Sequence, residues 1–488
     1  MRNLNLLLIT IILAISVSCQ YNDMLDTHTI GSVLTTSDTI TESRIHFVDA
    51  PVKYLAEKNY EEWTRIRHVE DRMKVCNPTQ EEVESMSTEA LVRSIVHYPL
   101  NYLIFAYDDP MTAINLLADN SVIHKEFEKR SDAAKTIIDL FSETEGVEMD
   151  PYKKTFSEYK CLQYSDATFL EYYMASERIP NIYAKETAEK LGIAINKKIE
   201  ERVSQPEIYN YSSIQPLLIM GASPELTQYV MSIPVPPAIG STTVYTPFGK
   251  TIRALINEDY TQPQIAAISL YYVLEWPEAD SIAPATNMYN CHSYAWYNQS
   301  EYNDLWINKT DSTGVFQLSR YWSTDLYESC SQQYAEKVFY VNTVPYKDHS
   351  AVVLPNGYFI SKWGGAPLMV HEADYCPYYF NNTELQYYKE RTYIPFMSDL
   401  ISGADYVSPG QSSIYYRGYI MYSDLDYSWS LSGYPMDPNL PAVMTVGQNN
   451  NYAQVTFNSA GLYVIRLEVS YNNQVFTYSE KQIYVFDD

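Results

Sequence analysis

The spacing of apolar residues changes period along this chain, and that change limits its folds more than any single motif. Between about Phe47 and Asn210, stretches such as "RSDAAKTIIDLF" and "AKETAEKLGIAINKKIEERV" repeat Ile, Leu and Ala every three or four residues, which predicts helices. "NPTQEEVESM" adds a capping box, Thr79 to Glu82, and Pro78, Pro99, Pro110, Pro151 and Pro180 keep the helices short. After about Leu400 the period becomes two: "DYSWSLSG", "YAQVTFNSAGLYVIRLEVSY" and "FTYSEKQIYVF" read as strands, with turns at Ser459 to Gly461 and Asn472 to Asn473. Residues 212–284 are rich in Pro, Gly, Thr and Val, so they read as a linker and a strand-rich lead-in, with a hairpin turning near Pro247 to Gly249.

A length of 488 residues suits about three domains, and 46% apolar residues can fill their cores. The formal charge of −26 argues against a nucleic-acid partner, because phosphates would be repelled rather than release counterions. Forty-seven tyrosines suit strand-rich, surface-exposed structure, where an amphipathic ring can sit half buried. His46, His68, His97 and His124 lack metal-ligand spacing and read as structural.

"MRNLNLLLITIILAISVSCQ" has an early charge at Arg2, an apolar run from Leu6 to Ile15 and small residues before Cys19, the pattern of an export signal. The run is too short to span a bilayer as a helix. "SVSC" resembles the lipobox of bacterial lipoproteins, departing from it at Ser16. The resemblance implies a signal over 1–18, lipid attachment at Cys19, a tether over 19–45 and residence at the bacterial cell envelope, with ordinary secretion as the alternative. With Cys19 lipidated, Cys76, Cys161, Cys291, Cys330 and Cys376 leave an odd number. Pairing Cys76 with Cys161 and Cys330 with Cys376 respects the domain boundaries and leaves Cys291 free; a reducing habitat would leave all five as thiols.

"MYNCHSYAWYNQS" places Cys291 at the start of a helix-compatible run. "DHSAVVLPNGYFISKWG" is two alternating segments joined by an Asn356-Gly357 turn, a strong hairpin signal, with His349 opening the first strand; "AEKVFYV" supplies a strand before it. This order of helix with cysteine, then strands with histidine, resembles the papain-like cell-wall cysteine peptidases and amidases of the NlpC and CHAP types. The cysteine motif departs from the NlpC pattern, offering Asn290 and His292 where those enzymes have an aspartate and small residues. The resemblance implies Cys291 as nucleophile, His349 as base and acid, and Ser361 in the position of the third residue. A three-residue turn with a bulge at Gly357 would put Ser361 on the same sheet face as His349; a strict two-residue turn would put Lys362 there. His371 is a competing base or orienter, and Tyr289, Trp296 and Trp363 are expected to wall the cleft.

In physical terms, a thiol at a helix N-terminus beside an imidazolium loses its proton more readily, and the Cys291 N–H is a candidate oxyanion donor. Zinc spacing and a phosphate-cradling glycine loop are both missing, so neither metal nor cofactor is expected. Trp429 and the Tyr463 that follows "SAG" resemble immunoglobulin-like or PKD-like sandwiches, which implies a module that binds or presents a surface partner.

The expected molecule is multidomain: an all-α region over 46–211, the lead-in over 212–284, an α+β papain-like cysteine hydrolase over 285–400 and an all-β immunoglobulin-like sandwich over 401–488. Its expected activity is amide hydrolysis, with peptidoglycan peptide as substrate class and the membrane reached through the lipid anchor. The competing reading is a non-catalytic surface-binding or scaffold lipoprotein with a degenerate papain-like domain.

Overall fold

The computed structural model describes residues 47–153, 161–230, 240–247, 249–323, 325–342, 348–391, 401–417, 426–447, 450, 452–471 and 474–486. The signal, the tether and Cys19 lie outside the described residues. No helix among the described residues is long and apolar enough to cross a membrane.

The first part is helical. After two short helices, Leu55–Lys58 and Tyr60–Thr64, come α1 (Val69–Val75), α2 (Gln80–Ser85), α3 (Thr88–Val96), α4 (Pro110–Asn120), α5 (Val122–Lys129), α6 (Ala133–Glu143), α7 (Tyr164–Ala175), α8 (Lys185–Val203) and α9 (Gln215–Gly221). Helix α2 starts at the expected capping box: Glu82 N donates to Thr79 Oγ1 at 3.3 Å and Thr79 N donates back to Glu82 Oε2 at 2.7 Å. Pro110 occupies the first turn of α4, where no intrahelical donor is needed, and Asp109 caps it by accepting from Met111 N. A short parallel pair, β1 (Gly146–Glu148) and β2 (Cys161–Gln163), interrupts the helices.

The expected hairpin is present as β3 (Gly240–Tyr245) and β4 (Thr251–Ile256), closed at Thr246 to Gly249. The linker reading of 212–284 fails beyond it, because α10 (Gln262–Glu275) follows. Two prolines of this stretch start helices: Pro216 and Pro263 sit in the first turns of α9 and α10, and α10 has its own capping box, Thr261 to Gln264.

Next come β5 (Asp280–Ala283), α11 (Cys291–Trp296), β6 (Tyr327–Ser329), β7 (Lys337–Val341), β8 (His349–Val353), β9 (Phe359–Lys362), β10 (Leu368–His371) and β11 (Glu384–Glu390). They build an antiparallel seven-stranded sheet in the order β5-β10-β9-β8-β7-β11-β6. One face packs into the helical region in a single apolar core that holds Leu103, Tyr272 and Trp276 together with Tyr340, Ala351, Phe359 and Trp363. The opposite face receives α11, with Trp296 and Phe339 in one cluster and Tyr289, Tyr294, Val352 and Ile360 in another.

The C-terminal part is two four-stranded sheets, β12-β14-β17-β16 and β13-β19-β18-β15. Their strands are β12 (Ile401–Ser402), β13 (Tyr406–Val407), β14 (Ser412–Arg417), β15 (Asp426–Pro435), β16 (Val443–Val446), β17 (Tyr452–Thr456), β18 (Gly461–Tyr471) and β19 (Gln474–Val485). Alternate residues of both sheets fill one core, including Tyr415 and Val455 from one and Trp429, Ile465 and Ile483 from the other. The Tyr463 hydroxyl donates to Ser459 O at 3.1 Å, four residues upstream, and fixes the corner that precedes β18.

Candidate functional site

The β8–β9 hairpin sets which side chains can meet. Leu354 N donates to Tyr358 O at 2.8 Å, Gly357 N donates to Leu354 O at 2.9 Å, and Gly357 has φ +86°, so the loop is Pro355-Asn356-Gly357. This is the three-residue turn with a glycine bulge, and its register pairs Val352 with Ile360 and Val353 with Phe359. Ser361 therefore shares a face with Ala351 and His349, and Lys362 shares the other with Ser350.

Helix α11 lies on the Ser350 face. Asn290 caps it, its Oδ1 accepting from Ser293 N at 3.1 Å, and Cys291 is the first helical residue. The Cys291 thiol is 3% exposed and takes hydrogen bonds from the Ser350 and His292 backbone N–H groups. Burial, then the nearby Asp108, pushes this thiol well up from its ordinary value; those two N–H groups and Lys362 act the other way without reversing it.

His349 is fully buried on the opposite face. It lies parallel to Tyr378 with ring centroids 3.8 Å apart and meets Tyr340 edge-on. Neither of its ring nitrogens has a hydrogen-bond partner, the Cys291 sulfur included. Burial, then His371 and His292, drives its pKa well down, so the ring is neutral. The structure thus brings Cys291 and His349 to one sheet without joining them in a hydrogen bond.

Ser361 is bonded to His371 rather than His349. Its Oγ is 2.7 Å from His371 Nε2, and Trp363 Nε1 donates to the same oxygen at 3.0 Å. His371 Nδ1 faces the Glu372 carbonyl at 2.7 Å, so Nδ1 carries the proton and Nε2 accepts from the serine. On the other face Ser350 repeats the arrangement, with His292 Nδ1 and Trp296 Nε1 each 2.8 Å from its Oγ.

Lys362, which only a strict two-residue turn would have put on the face of His349, is buried and donates to three carbonyls, Thr286 O at 2.9 Å, Gly364 O at 2.7 Å and Ala366 O. Burial lowers its pKa to about 7.

The expected cleft wall is not a wall. Tyr289, Trp296 and Trp363 fall in three separate clusters, Trp363 against Trp276 and Tyr272 in the helical-side core and Trp296 against Trp322 and Tyr327 beneath α11. Strand and helix periodicity sends them to different sides, which an aromatic count cannot reveal. The proposed disulfides are also absent: Cys76, Cys161, Cys330 and Cys376 are free thiols. Cys76 and Cys376 instead lie in the core as small apolar groups beside Tyr98 and Tyr340.

What covers Cys291 comes from far away in sequence. Four successive residues of the helical region bond to the site: Phe105 O accepts from Gly365 N at 2.8 Å, Ala106 O accepts from the Tyr378 hydroxyl, Tyr107 donates to Pro377 O at 3.1 Å, and Asp108 Oδ1 accepts from Asn290 Nδ2 at 3.1 Å. Gly364, at φ +57°, is required beneath this strap because a Cβ there would collide with Ala106 O. Loss of solvation moves the Asp108 carboxyl up to about 7, and the hydrogen bond it accepts from Asn290 acts the other way. Nothing local in "AYDDP" signals a partner beyond the helix that begins at Pro110.

Residues 280–385, which hold Cys291, His349, Ser361 and Lys362, match a family described as a domain of unknown function, DUF7689. No curated protein matches the chain. Among solved structures it is similar to the crystal structure of murine CEACAM1b at 11% identity and TM-score 0.14, over 31% of this chain and 86% of that one.

Proposed function

We propose that residues 280–385 are a papain-like cysteine hydrolase domain that cleaves amide bonds, with peptidoglycan peptides as substrate class, in an envelope protein anchored through Cys19. The observation that carries this reading is the placement of Cys291 at the first position of a helix packed on the strand that His349 heads. In the reaction, His349 takes the thiol proton, the sulfur bonds to the scissile carbonyl carbon, and the C–N bond breaks as His349 protonates the leaving amine. Water then hydrolyses the thioester. For this the His349 ring must leave its stack on Tyr378 and the strap over Cys291 must open, so the described conformation is a resting one.

The test is the pH dependence of iodoacetamide alkylation at Cys291, by mass spectrometry, in the wild type and in His349→Ala. Alkylation traps even brief openings. A limb of reaction well below pH 8 that the substitution removes is expected, and peptidoglycan fragments are then the next substrate. A second reading, a non-catalytic binding or scaffold lipoprotein, is favoured by the two unpartnered nitrogens of His349 and the raised thiol. It predicts an ordinary thiol titration, or no reaction, in both proteins.

A further inference from the structure

The outer face of the β13-β19-β18-β15 sheet carries a row of apolar groups across all its strands. Register pairs Tyr434 with Leu462, Leu462 with Tyr484, and Tyr484 with Tyr406, so the four share one face and one line. Three strand spacings of about 4.8 Å give the row a length of about 14 Å. Tyr434 is 86% exposed, Tyr406 68% and Tyr484 38%, and Phe486 beside them is 54% exposed.

The rings at one end are arranged as a tile. Tyr406 and Tyr484 have centroids 5.7 Å apart, while Phe486 is 6.2 Å from each, and the three planes differ by 8° to 26°. Near-parallel rings stacked in a column would put the outer pair roughly twice as far apart as neighbours. A near-equilateral triangle means they lie side by side, presenting a broad apolar surface. Hydroxyls rim it, with that of Tyr484 donating to Gln482 Oε1 at 3.1 Å.

Charge selects among the occupants of such a strip. The nearby cations are engaged, Arg466 with Glu468 and Glu480 and Lys481 with Asp405, and the chain carries a formal charge of −26. A polyanion, an anionic lipid surface or a second copy of this chain would be repelled. We propose that the strip binds a neutral glycan chain. Pyranose rings have an apolar C–H face that can lie on an aromatic tile and a belt of hydroxyls that can reach its polar rim. This inference does not depend on the hydrolase reading.

The test is depletion of the full-length protein from solution by insoluble chitin and by cellulose, both neutral pyranose polymers. Retention on at least one is expected, with affinity at least tenfold lower in Tyr406→Ser/Tyr434→Ser. Tyr416→Ser/Tyr452→Ser on the other sheet, whose rings are tilted by 52° rather than parallel, should bind like the wild type. Equal melting temperatures would show that the variants fold. Three results would overturn the proposal: no retention on either polymer, retention unchanged in the first double variant, or that variant instead abolishing self-association or binding to phosphatidylcholine vesicles.

Discussion

The two faces of the seven-stranded sheet use the same polar device. Under α11, Ser350 lies between the Trp296 indole and the His292 ring; toward the helical region, Ser361 lies between the Trp363 indole and the His371 ring. Each serine accepts from a tryptophan and bonds a histidine nitrogen, and both sites exclude water. His349, between them on β8, has the same burial and none of the partners. A serine–histidine contact in this sheet is therefore a way of satisfying buried groups, and the histidine without one retains unused bonding capacity.

Acid should break this comparison first. His292 is held to about 3 and His371 to about 4 by burial, and His349 and His124 are also driven down. Below about pH 6.5 the unfolded chain takes up protons that these folded sites refuse, so stability falls as pH drops toward about 4. The loss is up to ~1.4 kcal/mol per pH unit for each histidine. Urea midpoints at pH 7 and pH 5 should differ sharply, and equal midpoints would mean that these rings can be protonated in place.

Lys362→Met should cost about 2–6 kcal/mol, because it strands two buried carbonyls, Gly364 O and Ala366 O, at about 1–3 kcal/mol each, and also frees the half-buried Thr286 O. Calorimetry would read it, and a loss below about 1 kcal/mol would show that water enters to replace the ammonium. Ser350→Ala and Ser361→Ala should each cost about 2–4 kcal/mol, since each leaves an indole N–H and a histidine nitrogen unpaired. The smallest effect belongs to His349→Phe, which keeps the ring stack on Tyr378 and loses no hydrogen bond, within about 1 kcal/mol of wild type. It should also make the acid dependence shallower. A large loss there would point to a polar partner for His349 that forms in solution.

Local chemistry was readable in the sequence and distant chemistry was not. The Thr79–Glu82 cap and the Gly357 bulge involve neighbours a few residues apart, and from the bulge follows the sharing of a face by His349 and Ser361. The same alternation puts Ser350, not His349, beneath α11, a consequence the motif match passed over. Proline misled over 212–284, since it is as much at home in the first turn of a helix as in a linker. The partnership of Ser361 with His371 depends on β9–β10 pairing, in which Met369 lies opposite Ser361; Gly364-Gly365 signals a turn between the strands, but a turn signal alone does not set that register. Asp108 and Tyr378 reach the site through tertiary contacts alone, beyond the reach of any spacing argument.

The strap also fixes an order of events during folding. Asp108 precedes Asn290 by 182 residues and Ala106 precedes Tyr378 by 272, so the cover over Cys291 rests on some of the longest loop closures in the chain. Contacts of such range form late, after the local helices and hairpins. At about 5–20 residues per second, the strap is synthesised on the order of ten to fifty seconds before its last partner. A newly made chain therefore carries an accessible Cys291 that the mature protein hides, and oxidants or thiol reagents should mark young molecules in preference to old ones.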